Sequence, residues 1–179
     1  MKNKILFLDF DGVLNTLRWR EHEGKNAIID RFGYSFDPES VANLAKIVCH
    51  PDVGVVISSS WKSLGLDEMR SLWKERKMPG ELIDITPSET RREVISQTTP
   101  DEIRLLTSKG HEIDMWLSIH DNISQYAIVD DEDCMLSEQQ GHFMRISPII
   151  GVTDEDVKKI MRILKLECKR PKMTYCLKP

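Results

Sequence analysis

The feature that most constrains the fold is a repeated alternation of short apolar runs with amphipathic helical segments. Residues 5–8 form a continuous apolar run that ends in acid, as expected of a parallel strand covered on both faces. Val53–Ile57 has the same character, and residues 126–129 repeat it later in the chain. Because helix signals separate these runs, the pattern predicts an α/β fold with a mostly parallel central sheet and helices on both faces.

Two of the helices have clear start signals. Asp37 is a capping residue with Pro38 at the first helical position, and apolar residues then recur at helical spacing. Thr153 begins a final helix in the same way. Residues 82–85 predict a short strand and residues 143–146 an edge strand, whereas residues 89–108 stay open, with Pro100 as a candidate helix start.

Size and composition bound the class of protein. The 179 residues predict one domain spanning 1–179, and 40% hydrophobic with 30% charged residues is the balance of a soluble globular protein. No apolar run approaches the ~18 residues of a membrane span, so no membrane partner is predicted. The four cysteines lack zinc spacing, which favours reduced thiols and a cytoplasmic location.

The net charge of −4 hides a basic C-terminal tail. Residues 165–179 contain five basic residues and one acidic residue, Glu167. Such a run is a candidate contact for the phosphates of a nucleic acid, although a run of this kind is more often a solvated terminus. The rest of the chain is acidic and argues against a protein built on one large cationic face.

Polar side chains follow three of the predicted strands where each strand ends. Asp9 and Asp11 come after the first apolar run, Ser58 after the second, and Asp130 and Asp131 after a later one. In open parallel sheets, ligands bind outside the carboxyl ends of the strands. We therefore expect these side chains to meet in one polar pocket.

Several carboxylates in one pocket need a cation. Each pair repels by roughly 1 kcal/mol at 4 Å in water and about 4 kcal/mol at an effective dielectric of 20. Mg²⁺ prefers hard oxygen ligands and keeps several waters, so carboxylates, a backbone carbonyl and a substrate phosphate oxygen suit it. A carboxylate that shares a metal with a phosphate can also attack phosphorus, which makes Asp9 a candidate nucleophile.

The same residues carry a family resemblance. Residues 9–15, Asp-Phe-Asp-Gly-Val-Leu-Asn after an apolar strand, resemble the first motif of the haloacid dehalogenase-like (HAD) phosphohydrolases. Residues 55–58 resemble the second motif, Lys109-Gly110 the third and residues 129–133 the acidic fourth, all in family order. The chain looks nearest to small, nearly capless members, including HAD domains associated with RNA repair proteins. The resemblance implies a three-layer Rossmann-like fold with a minimal cap.

The resemblance also implies roles for individual residues. Asp9 would attack phosphorus, and Asp11 would protonate the leaving oxygen and later deprotonate the attacking water. Ser58 would bind a phosphoryl oxygen, and Lys109 would orient Asp9. The Mg²⁺ ligands would be Asp9, Asp131 and the backbone carbonyl of Asp11.

Further residues have supporting or alternative roles. Gly12 fits a tight turn beside the phosphate, and Asp130 and Asp133 are supporting metal candidates. If the second strand ends one residue later, Ser59 replaces Ser58. The cation beside Asp9 could be Lys62 or one of two arginines instead of Lys109, namely Arg91 and Arg92.

The sequence leaves little room for a lid over the pocket. A small flap over residues 17–36 is expected, on which Arg18 and Arg20 could grip a substrate anion. The predicted function is a Mg²⁺-dependent phosphomonoesterase with an open site, which suits a phosphate on a macromolecule such as a nucleic-acid end. The alternatives are a phosphoryl-binding or phosphotransfer signalling module, and, as a specific substrate class, the 3′- or 5′-phosphate of a nucleic acid.

Overall fold

A computed structural model describes residues 2–23, 28–88 and 108–166 of the chain. In chain order the strands are β1 Lys4–Leu8, β2 Ile29–Asp30, β3 Gly33–Tyr34, β4 Val53–Ile57, β5 Leu82–Ile85, β6 Gln125–Asp130 and β7 Phe143–Arg145. The α-helices are α1 Leu17–Glu23, α2 Pro38–Val48, α3 Leu66–Glu75, α4 Lys109–Ser118 and α5 Asp154–Ile163, with 3₁₀ helices at Ser60–Leu64 and Ser137–His142.

A five-stranded sheet in the order β5-β4-β1-β6-β7 forms the centre of the molecule. Every neighbouring pair in it is parallel. β1 lies in the middle, and Leu8 at its end pairs with Ile57 of β4 and Val129 of β6. The register therefore brings the carboxyl ends of the three central strands to one edge, and the predicted parallel α/β fold is confirmed.

The two faces of the sheet are buried by different helices. Because side chains alternate along a strand, Leu6 and Leu8 of β1 pack on one face with α2, α3 and α5. Ile5 and Phe7 point to the other face, where Trp116 of α4 meets Phe7 edge to face at a ring separation of 5.4 Å. Burial on both faces explains why these strands read as continuous apolar runs.

Both helix starts that the sequence predicts are present. The Asp37 carboxylate accepts a hydrogen bond from the Glu39 N–H (2.9 Å), and Pro38 is the first residue of α2. Thr153 and Asp156 cap α5 reciprocally, each side chain accepting from the other residue's N–H. The predicted edge strand is also present, as the short β7 beside β6.

The flap, residues 17–36, consists of α1 and the hairpin β2–β3 in its described part. The Trp19 indole N–H donates to the Ser35 carbonyl (3.0 Å) and ties α1 to the hairpin. The Asp30 carboxylate accepts from two nitrogens of Arg76 (2.8 and 2.9 Å), which ties the hairpin to the end of α3. The flap is small, as the sequence predicts.

Some sequence predictions fall outside the described residues. These are the helix start at Pro100, the alternative cations Arg91 and Arg92, and the basic tail beyond residue 166. Among the described residues, no helix has both the length and the apolar character needed to cross a bilayer.

Candidate active site

The ends of β1, β4 and β6 build one side of a pocket. Asp9 directly follows β1, and its N–H donates to the Val129 carbonyl (3.0 Å), which fixes it beside β6. The Ser58 N–H donates to the Leu8 carbonyl (3.0 Å) in the same way from the β4 side. The pocket is lined by Asp9, Asp11, Gly12, Asn15, Leu17, Arg20, Ser60, Lys109, Asp131, Glu132 and Pro148.

Among the described residues, Lys109 is the cation that contacts the predicted nucleophile, Asp9. Its ammonium group donates to Asp9 (2.9 Å) and to Asp130 (2.8 Å), from the first turn of α4. Burial lowers the pKa of Lys109, but the charges of the two carboxylates outweigh it and hold the pKa above its ordinary value. Lys62, the alternative cation in the described residues, instead pairs with Glu112 and donates to Thr86.

Three carboxylates form a cluster that could hold a metal ion. Oxygens of Asp9, Asp130 and Asp131 all lie within 4.8 Å of one another. Burial and the charge of Asp9 raise the pKa of Asp130 to about 6, although Lys109 opposes this shift. The same two causes raise the pKa of Asp131. Burial and mutual repulsion therefore disfavour three ionised carboxylates in this cluster, and a bound cation would reduce that repulsion.

The chemistry of this donor set suits a hard metal cation. All three side chains offer hard carboxylate oxygens, and no histidine or cysteine of the described residues belongs to the cluster. Asp133 lies on the exposed loop after β6, where its carboxylate accepts a hydrogen bond from the Gln140 side chain (3.2 Å), and it is not part of the cluster. Of the three acids that the sequence nominated as metal candidates near the end of β6, the structure thus groups Asp130 and Asp131 with Asp9 and leaves Asp133 outside the cluster.

Asp131 leaves no space for a side chain at residue 12, which is a glycine. Its φ is +73°, a conformation that residues with a Cβ rarely adopt. A Cβ at this position would lie 2.4 Å from Cγ of Asp131, which is far inside van der Waals contact. The absence of a side chain therefore lets the turn after β1 approach the carboxylate cluster.

Asp11 stands apart from this cluster, on the exposed side of the pocket. One of its oxygens, Oδ1, accepts from the Asn15 side-chain amide (3.0 Å). The other, Oδ2, accepts from the Trp61 indole N–H (2.9 Å). The carbonyl of Phe10 accepts from the N–H groups of residues 13, 14 and 15, and this turn brings Asn15 back over Asp11.

The two candidate serines differ in their partners. Ser58 is buried, and its hydroxyl has no hydrogen-bond partner within residues 2–23, 28–88 and 108–166. The Ser59 hydroxyl accepts from the Trp61 N–H (3.5 Å) and caps the 3₁₀ helix that follows β4. Ser58 therefore has the free hydroxyl, while Ser60, which the sequence prediction omitted, lines the pocket.

The two flap arginines lie in different places. Arg20 lines the pocket together with Asp9 and Asp11. Arg18 instead pairs with Asp37 (3.3 Å) and Glu39 (2.7 Å) at the start of α2, and it lines a separate surface cleft. Hydrogen bonds to these two carboxylates raise the pKa of Arg18. The structure thus places Arg20 at the site and Arg18 away from it.

Sequence reasoning missed two side chains that bind Asp11. Asn15 lies within the first motif, so its position four residues after Asp11 was an available signal. Trp61 is fifty residues away in the chain. Only the pairing of β1 with β4 brings it near, and no motif marks it.

The fold and site define an α/β protein with a metal-competent carboxylate cluster at the carboxyl edge of a parallel sheet. Residues 5–157 match the family model described as the HAD domain in Swiss Army Knife RNA repair proteins. The match covers most of the chain, and the protein belongs to this family. No curated protein and no solved structure matches it significantly.

Proposed function

We propose that this protein is a Mg²⁺-dependent phosphomonoesterase that works through a phospho-aspartate on Asp9. The observation that carries the proposal is the placement of Asp9. It is buried at the tip of the central strand, it contacts Lys109, and it belongs to the carboxylate cluster that fits a metal. A second acid, Asp11, faces the same pocket two residues later.

The metal would be held by Asp9, Asp131 and the backbone carbonyl of Asp11, with Asp130 in support. When bound, Mg²⁺ supplies positive charge that screens the phosphate from the carboxylates. Lys109 already bridges Asp9 and Asp130, so it holds the Asp9 carboxylate in one orientation. A carboxylate held in this way is suited to attack phosphorus.

In the first half-reaction an oxygen of Asp9 forms a bond to phosphorus as the ester P–O bond breaks. Asp11, in its protonated form, gives its proton to the departing oxygen, so an alcohol leaves. The free hydroxyl of Ser58 and the guanidinium of Arg20 are suited to bind the phosphoryl group or a neighbouring phosphate. The product of this step is phosphorylated Asp9.

In the second half-reaction water attacks the phosphorus of phospho-Asp9. Asp11, now a carboxylate, accepts the proton from that water, and the bond between phosphorus and the Asp9 oxygen breaks. Inorganic phosphate leaves, and both aspartates return to their starting states. One residue therefore serves both steps.

For the substrate, we propose a phosphorylated nucleic-acid end. The matched family model is described as a HAD domain of RNA repair proteins. The pocket also has room beside Arg20 and the exposed flap. Its flap-side wall includes Leu17 and Pro148, whose backbones are joined by a hydrogen bond of 2.9 Å. A guanidinium next to an apolar wall suits a second phosphate next to a base.

Mg²⁺ titration of purified, metal-depleted protein tests the reaction class. Turnover of 4-nitrophenyl phosphate should require Mg²⁺, and labelled phosphate should be trapped on Asp9 after a rapid acid quench. A protein that binds phosphate but releases none would instead be the phosphotransfer or binding module. Metal-independent turnover would remove the cluster from the mechanism.

Substrate class is tested with matched RNA and DNA oligonucleotides that carry a 3′- or a 5′-phosphate. Arg20→Ala should lower kcat/KM on the preferred oligonucleotide by about tenfold, the loss of one charged contact. Arg18→Ala is the matched control and should cost much less, because Arg18 lies outside the pocket. Equal effects of the two substitutions would argue against a substrate contact at Arg20.

A further inference from the structure

Each of the two carboxylate oxygens of Asp11 accepts a hydrogen bond, one from a residue nearby in the chain and one from a distant residue. Asn15 supplies a local donor four residues away, and the Trp61 indole N–H supplies a distant one, at 2.9 Å. An exposed aspartate side chain would otherwise rotate among several rotamers. With one N–H on each oxygen, the plane of the carboxylate is fixed.

The Trp61 side chain is held in place by neighbouring aromatic rings, a guanidinium group and a backbone hydrogen bond. Its ring packs edge to face on Phe10 (centroid separation 5.6 Å, interplanar angle 84°) and lies against Phe36 (6.0 Å). Arg76 places its guanidinium 5.6 Å from the centre of the indole. The backbone N–H of Trp61 donates to the Ser59 hydroxyl, and Ser59 caps the 3₁₀ helix that contains Trp61. The indole N–H is therefore a preorganised donor.

A fixed carboxylate matters because Asp11 must transfer a proton in both half-reactions. A carboxyl oxygen has two lone-pair directions, so an oxygen that accepts an N–H still has one direction for the transferred proton. The lone pair that remains points at the leaving oxygen of the substrate only if the carboxylate keeps its orientation. Misplacement of a catalytic group by 1 Å costs up to about 10²-fold in rate.

Resting on the phosphatase function proposed above, we propose that Trp61 is a positioning residue for the acid and base Asp11. It acts through Asp11 and does not itself contact phosphorus. Its loss should therefore damage the proton-transfer part of the reaction and spare metal binding. That selectivity separates a positioning role from a purely structural one.

The experiment compares two esters in the full-length protein with saturating Mg²⁺. An alkyl phosphate such as glycerol 2-phosphate needs a proton on its leaving oxygen, whereas 4-nitrophenyl phosphate departs without one. The readout is kcat/KM, which covers the steps up to phospho-Asp9 and excludes the common hydrolysis step. Trp61→Phe keeps an aromatic ring and removes the N–H. It should lower kcat/KM for the alkyl ester by about tenfold or more and for the aryl ester by less than about threefold.

Three variants calibrate this result. Asp11→Asn should show the same ester selectivity in a stronger form. Trp19→Phe is the matched control, because it removes an indole N–H that donates to the Ser35 carbonyl within the flap. It should show no ester selectivity. If Trp61→Phe is unfolded by circular dichroism, site-specific benzothienylalanine at position 61 replaces the N–H by sulfur while keeping the ring shape.

The outcomes separate this inference from the function on which it rests. A wild-type protein without Mg²⁺-dependent turnover of either ester would overturn both. An active wild type with a folded position-61 variant that loses both esters equally, or loses neither, would overturn only the role of Trp61. A selective loss on the alkyl ester, with the Mg²⁺ concentration for half-maximal rate unchanged, would support it.

Discussion

The two walls of the pocket are built in different ways. The strand-tip wall carries Asp9 and Asp130, which are 4% and 0% exposed and stand directly on the core of the sheet. The flap wall rests in part on ion pairs at the surface, such as Arg31 with Glu75 (2.8 Å), whose side chains are about half exposed. The first wall is held by burial, whereas water screens some of the contacts that hold the second.

This difference assigns different tasks to the two walls. A reacting carboxylate needs a fixed position, which a parallel strand buried on both faces provides. Substrate recognition tolerates and often needs adjustment, which a small surface flap provides. Changes on the strand-tip wall should therefore abolish chemistry, whereas changes on the flap should tune binding or stability.

Asp9→Asn should give the largest loss of activity. The amide has nearly the same shape as the carboxylate but is not a nucleophile, so turnover should fall by roughly 10⁴-fold or more. The fold should survive, since removing one of three clustered carboxylates also removes repulsion. Steady-state rates and thermal unfolding of the same preparation measure both. Substantial turnover by the folded variant would exclude the covalent mechanism.

Asp131→Ala should come next and should act through the metal. Losing an inner ligand should raise the Mg²⁺ concentration for half-maximal rate by about 10- to 100-fold and also lower kcat. Asp133→Ala is the matched control, because its carboxylate lies two residues on, outside the cluster, and contacts Gln140. Parallel Mg²⁺ titrations compare the two variants. A defect at Asp133 as large as that at Asp131 would mean that the ligand is misassigned.

Gly12→Ala should disturb the same cluster by steric means. The new Cβ would meet Asp131 at 2.4 Å, and the positive φ adds backbone strain, so we expect about 1–3 kcal/mol of destabilisation and weaker Mg²⁺ binding. Gly33→Ala is the control, because Gly33 also has a positive φ (+98°) but nothing lies within 4 Å of its added Cβ. Denaturant unfolding and Mg²⁺ titration of both variants separate strain from the clash. Equal Mg²⁺ affinities in the two variants would rule out the steric argument.

The strand-tip wall was predictable from the sequence, and the contacts across the pocket were not. Continuous apolar runs that end in Asp9, Ser58 and Asp130 predict both the strands and their shared edge. By contrast, residues 18 and 20 lie about 200° apart around a helix, so only one of them can face the pocket. The sequence does not give the helix phase that decides in favour of Arg20.

The Trp61 contact was unpredictable for a related reason. It depends on the pairing of β1 with β4 and on the direction in which a short 3₁₀ helix aims one indole. The motif residues alone do not predict where the Trp61 side chain lies. Sequence patterns therefore located the reacting carboxylates but not the donor that orients one of them.

The smallest expected effect lies on the flap, where Asp30 joins the hairpin to α3. The hydrogen bonds from Arg76, followed by one from the Phe32 N–H, outweigh burial and lower the pKa of Asp30 below its ordinary value. A carboxylate with a lowered folded-state pKa stabilises the protein above its unfolded-state pKa, about 3.9. That contribution is lost as the pH falls through the folded-state pKa. Asp30→Asn, which has no such titration, should therefore cost about 1 kcal/mol at pH 7 and progressively less below pH 4.

Denaturant unfolding of wild type and Asp30→Asn between pH 7 and pH 2.5 measures this difference. The difference between the two stability curves should narrow as the pH falls, because protonation of Asp30 removes the charge that the asparagine lacks. Turnover of 4-nitrophenyl phosphate at pH 7 should stay within about twofold of wild type, since the strand-tip wall does not depend on this ion pair. A gap in stability that does not narrow at all between pH 7 and pH 2.5 would assign the loss to packing rather than to charge. A large loss of aryl phosphate turnover would show that the two walls are coupled and would break the division between them.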